Sequence, residues 1–142
     1  MQFKQTDNIY QVYLEKDESV VDELTNFCKE HNILNGQITG IGAVSNIEIG
    51  AYDSANREYI KKLFNEDHEL ISYNGNIMIL DGAPFIHAHI TIGNHNMEIF
   101  GGHLFSANIA VVGEFIIQKI DNNAKRIFNK EIGLATWNLN NE

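Results

Sequence analysis

Phe85-Ile86-His87-Ala88-His89-Ile90-Thr91-Ile92 alternates: 86, 88, 90 and 92 are apolar, while 87 and 89 are histidines. Strand side chains project to opposite faces with period two. The pattern therefore predicts a half-buried strand, with its apolar residues toward a core and both imidazoles together on the other face. Residues i and i+2 of a strand lie about 6.7 Å apart at Cα. Two rings can converge from there on one metal ion at about 2.0–2.1 Å per bond. Taken alone, a His-x-His pair is more often a polar strand face than a metal site.

His103, just after Gly101-Gly102, changes that balance. If Gly93-Asn94-His95-Asn96 turns the chain, a pairing with residue numbers summing to 190 sets His103 opposite His87. All three rings then share a face, because directly opposed residues project the same way. A sum of 189 pairs Ile90 with Ile99 and Ile92 with Met97, which suits the core, but sends His103 to the far side. A bulge at Gly101-Gly102 reconciles the two. Three neutral imidazoles on one tetrahedral ion leave a position open, the arrangement of a reactive or ligand-binding site.

Working outward, Ile9–Leu14 is rich in β-branched and aromatic residues and predicts a strand. Ser19 with Asp22 resembles a capping box, and Val20, Leu24, Phe27 and Cys28 follow at helical spacing, predicting one helix over about 19–31. Glycines at 36, 40 and 42 match neither nucleotide-loop spacing, and they predict bends in a twisted strand. Further strands are expected at about 59–64, 69–73, 76–80, 85–92, 97–100 and 108–120, with Asn74-Gly75 and Asp81-Gly82 as tight turns. One helix against a largely antiparallel, twisted sheet gives an α+β fold class. No linker or repeat divides residues 1–142, and the segment from about Asp121 reads as a polar C-terminal tail.

The 142 residues suit one domain, and 44% hydrophobic with 20% charged residues is ordinary globular composition. No run approaches the roughly 20 apolar residues of a membrane span. The N-terminus has no apolar h-region and Cys28 is the single cysteine, which together predict a reducing, cytoplasmic setting. A net charge of −9 opposes tight, unaided DNA binding, which draws on Lys and Arg to displace counterions. Locally, Lys119, Lys125, Arg126 and Lys130 against Asp121 give a net +3, read as a solvated surface segment. Lys125 and Arg126 are the candidate nucleic-acid contacts.

The remaining chemistry-bearing residues read as ordinary. His31 closes the helix, His68 lies in an acidic run expected to be a solvated turn, and His95 sits at a hairpin tip. Cys28 falls on the apolar helix face as a small hydrophobe. Glu48, Asp53 and Glu98 are conceivable acid–base partners, but nothing in the spacing selects among them, and no catalytic residue is assigned.

Four pieces in order, Gly40-Ile-Gly-Ala-Val-Ser-Asn-Ile-Glu-Ile-Gly50, Leu70-Ile-Ser-Tyr-Asn-Gly-Asn76, Asp81-Gly-Ala-Pro-Phe-Ile-His-Ala-His89 and Phe100-Gly-Gly-His-Leu104, span most of residues 8–120. Together they resemble the PPC ("plants and prokaryotes conserved") domain family, in its prokaryotic stand-alone form. The resemblance implies a compact domain that assembles as a homotrimer and a predicted DNA-binding, regulatory role. It also implies a divalent metal, zinc, on His87, His89 and His103. The chain has no basic Arg-Gly-Arg hook of the kind that accompanies the domain in plants. Two other functions stay open: a zinc-dependent enzyme acting on a small or phosphorylated metabolite, and a hydrogen-bonded histidine patch that meets no metal.

Overall fold

The computed structural model describes residues 1–140. In chain order the elements are β1 (Gln2–Thr6), β2 (Ile9–Leu14), α1 (Val20–Glu30), β3 (Gly36–Asp53), β4 (Glu58–Phe64), β5 (His68–Leu80), β6 (Ala83–Gly93), β7 (Ile99–Lys119), β8 (Lys125–Asn129) and β9 (Leu134–Asn138). Among the described residues, nine strands and one eleven-residue helix give the expected largely antiparallel sheet with a single helix, and the class is strand-dominated rather than α+β. Among the described residues, no helix is long and apolar enough to cross a membrane.

Four strands close on themselves. β3 pairs with β5, β5 with β6, β6 with β7, and β7 returns to β3, every pair antiparallel. β2 and β1 extend from β7, β4 flanks β3, and β8 with β9 continue beyond β5. Ile38, Tyr73, Ala88, Ile90, Ile92, Ile109 and Phe115 share one buried core with Leu24, Phe27 and Cys28 of the helix. Each large apolar side chain withdrawn from water there contributes about 1.5–3 kcal/mol. Ser19 caps the helix by accepting from the Asp22 backbone N–H at 3.4 Å, and acidic Asp22 and Glu23 meet the positive end of its dipole.

Several expected boundaries dissolve. Asn74-Gly75 is not a turn: β5 runs through it, and Gly75 gives the room a close neighbour needs, since a Cβ there would sit 3.0 Å from the Tyr73 ring. Likewise the strands expected at about 97–100 and 108–120 merge into one of 21 residues, β7, which starts at Ile99 and ends at Lys119. Asp81-Gly82 does turn the chain, with φ of 51° and 82°. The glycines at 36, 40 and 42 lie within β3, where its register against β5 shifts between Gly40 and Gly42.

The C-terminal segment is not a solvated tail. β8 and β9 form a hairpin, and β8 joins β5 in parallel at Ile79 and Lys125. The burial pattern of β8 explains why hydropathy misses it. Its one inward side chain is Arg126, so the polar–apolar alternation that marks a strand is inverted. Residues 141–142 of the expected tail lie outside the described residues.

Candidate metal centre

The β6–β7 ladder sets the site. It pairs Gly93 with Ile99, Ile92 with Phe100, Thr91 with Gly101, Ile90 with Gly102 and His89 with His103. Residue numbers sum to 192, so His103 stands opposite His89, not His87. No bulge interrupts the ladder at the double glycine. The extra length lies in the loop: Asn94 Oδ1 accepts from the backbone N–H of Asn96 and Glu98, and Met97 takes φ +64°. The even sum keeps all three rings on one face, as expected. Gly102 serves close approach instead, since a Cβ there would lie 2.8 Å from the Gly50 carbonyl on β3.

Ring centroids stand 5.1 Å apart for His87–His89, 5.0 Å for His87–His103 and 5.5 Å for His89–His103. One ring nitrogen from each residue lies within 4.8 Å of the others, a set that could hold a metal ion. His89 is exposed; His87 and His103 are partly buried. His103 packs between Tyr59 at 4.9 Å and Phe105 at 4.8 Å. Burial, with His87, His89, Lys61 and Arg126 nearby, pushes its pKa down to about 4. Burial lowers that of His87 as well, followed by Arg126 and His89. Both rings are thereby held neutral, the form that donates to a metal. His103 Nδ1 is buried without a hydrogen-bond partner, a free donor of the kind a metal would satisfy.

Arg126 is the neighbour that the sequence does not announce. Expected on a basic surface, it is 8% exposed. Nη1 donates to Ala135 O at 2.8 Å, and Nη2 donates to Asn76 Oδ1 at 2.8 Å and to His87 Nδ1 at 3.2 Å. Lys125 points outward and is exposed.

The other candidates lie elsewhere. His68 is buried, not solvated: its Nδ1 meets the Glu66 carbonyl at 2.9 Å and its ring packs on Phe64. His31 caps the helix among Phe3, Tyr10 and Phe27, and His95 is exposed at the hairpin tip. Cys28 is buried in the core, its thiol pushed up to about 12 by burial. Of the carboxylates weighed as acid–base partners, Glu48 pairs with Lys61 at 3.0 Å. Asp53 ties the turn at Ala55 and Asn56, and Glu98 accepts from Asn94.

Known structures share this architecture. A metal-containing protein from Archaeoglobus fulgidus matches at 32% identity and TM-score 0.85, over 96% of this chain and 98% of its own. A protein from Bacteroides thetaiotaomicron, provisionally assigned to DNA binding, matches at 31% identity and TM-score 0.94 over 96% of both chains. A plant- and prokaryote-conserved (PPC) protein from Pyrococcus horikoshii matches at 32% identity and TM-score 0.87, over 99% of this chain and 97% of that one. A comparison with curated proteins finds no match. The family model of the Plants and Prokaryotes Conserved (PCC) domain matches residues 1–121, and the chain belongs to that family.

Proposed function

We propose that this chain is a metal-dependent binding module in which His87, His89 and His103 hold a divalent ion, zinc in kind. The observation that carries the reading is the convergence of three imidazoles from β6 and β7, with His103 Nδ1 buried and unspent. When bound, such an ion supplies an electrophilic centre with a coordination position left for a small donor ligand. The protein's own part is to hold the His87 and His103 rings neutral and to fix His103 between Tyr59 and Phe105. The metal-containing Archaeoglobus relative supports the same assignment. Binding is favoured over hydrolysis because Glu48, Asp53 and Glu98 are engaged in an ion pair and two turns. Competition of the chelator-stripped protein against a chromophoric zinc chelator tests the reading: one zinc per chain is expected, and failure to compete contradicts it.

Association with DNA, through the family resemblance and the Bacteroides relative's assignment, is the second arm of the proposal. Lys125 is the exposed member of the basic pair that supports it, whereas Arg126 is committed inside and the chain carries −9 overall. DNA contact therefore calls for charge gathered across copies, and retention on duplex DNA should fall steeply with salt. We also infer assembly as a homotrimer. Phe3, Ile41, Ile71 and Ile116 are exposed around one groove on the face of β1, β2, β3, β5 and β7, an apolar surface suited to burial between copies. Sedimentation equilibrium at three times the 16.1 kDa chain mass is the expected result.

A further inference from the structure

Arg126 is a buried cation that forms no ion pair among the described residues. The ion pairs among the described residues all lie elsewhere, and the acidic group that Arg126 senses is the Tyr59 phenol. Its Nε is buried without a hydrogen-bond partner. Taking a guanidinium out of water is costly unless a counter-charge meets it, and a divalent ion on the neighbouring histidines adds more positive charge. Among the described residues, the site is therefore short of negative charge.

The contact with His87 sharpens the point. A guanidinium only donates, so His87 Nδ1 accepts from Nη2 with its lone pair, and a neutral ring then carries its proton on Nε2. Such a ring has no second lone pair to offer. Ligation through Nδ1 takes the pair that Arg126 uses. Ligation through Nε2 moves the proton to Nδ1, where it faces another donor. Either way, metal uptake by a neutral His87 ends this hydrogen bond. It frees an Nη2 hydrogen on the guanidinium whose Nε–H already lacks a partner. Two unspent N–H groups of one guanidinium are a receptor for an oxyanion.

We propose that the histidine centre takes an oxyanion, the carboxylate or phosphate group of a small molecule, shared between the metal and Arg126. Arg126, carried by the C-terminal hairpin beyond residues 1–121 of the family match, is the residue that selects this ligand. The inference rests on the metal reading above and goes beyond it in naming the ligand class and the residue that recognises it.

Cobalt(II) loaded into the full chain tests it, because the visible absorption of the ion reports what joins its coordination sphere. Uptake is measured first; a wild type that takes up no cobalt overturns the metal reading and this inference with it. With cobalt bound, sodium acetate, inorganic phosphate and neutral imidazole are titrated in turn. One of the oxyanions should shift the spectrum, and Arg126→Gln should weaken its Kd by about tenfold or more. Cobalt stoichiometry and imidazole affinity should hold. If Arg126→Gln does not fold, Arg126→Lys, which keeps the charge and loses the planar fork, carries the comparison with the same direction expected. A wild type that takes imidazole but neither oxyanion overturns the inference alone, as does oxyanion affinity unchanged in a folded Arg126 variant.

Discussion

His103 stands directly opposite His89 across the β6–β7 ladder, with ring centroids 5.5 Å apart. The pairing makes two strands, rather than one flexible loop, responsible for the geometry of the site. His87 joins from two residues along the same strand and reaches His103 at 5.0 Å. Behind the rings, the apolar face of β6 is locked into the core through Ala88, Ile90 and Ile92. The ligand set is thus held by the same packing that holds the fold, which favours a pre-organised centre.

Metal-free protein should lose stability on mild acidification. The fold holds His103 at about 4 and lowers His87, against an unfolded value near 6.5. Between those limits the unfolded chain binds more protons than the folded one. The stability from keeping the rings neutral is therefore complete above about 6.5 and is lost as pH falls toward 4. The Tm of chelator-treated protein should decline across that window, and His103→Gln should flatten the decline. Parallel profiles for wild type and variant would contradict the assignment.

Gly102→Ala should be costly despite its modest size. The added Cβ would lie 2.8 Å from the Gly50 carbonyl, backbone against backbone, where no rotamer change gives relief. We expect a loss of about 1–3 kcal/mol in urea denaturation. Zinc affinity should weaken too, because His103 is the next residue along the displaced strand. Wild-type stability in the variant would show that β3 and β7 have room to spare.

The alternation in Phe85–Ile92 made β6 legible, and with it the shared face of His87 and His89. The capped apolar stripe of α1 was legible for the same reason: one local period dominates. Register was only partly so. The shared face of His103 is as expected, but the reading reaches it through a bulge at Gly101-Gly102 that the ladder lacks. The Asn94–Glu98 loop sets the register instead, through Asn94 side-chain bonds and a positive φ at Met97, which hydropathy does not encode. Asn74-Gly75 misled because the glycine that signals a turn here makes room for Tyr73 and Ala88. The β8–β9 hairpin was illegible, since its inward position is an arginine whose side-chain partners, Asn76 and His87, lie 50 and 39 residues away.

Asn76→Ala probes that long-range link. Arg126 Nη2 would lose its 2.8 Å acceptor while staying buried, and an orphaned charged donor costs about 1–3 kcal/mol. Limited proteolysis should cut near residues 121–125 faster in this variant, because Arg126 is the inward anchor of β8. An unchanged cleavage rate would mean that the hairpin is held by its other contacts.

Metal content per chain, measured by inductively coupled plasma mass spectrometry on protein equilibrated with zinc and then desalted, tests the central claim most directly. Wild type and His95→Ala, which removes the exposed histidine of the hairpin tip, should each retain about one ion. His89→Ala and His103→Ala should retain little, since losing a ligand weakens affinity beyond the 10–100-fold typical of supporting residues. Equal zinc in all four proteins, or none in the wild type, would contradict a three-histidine metal centre.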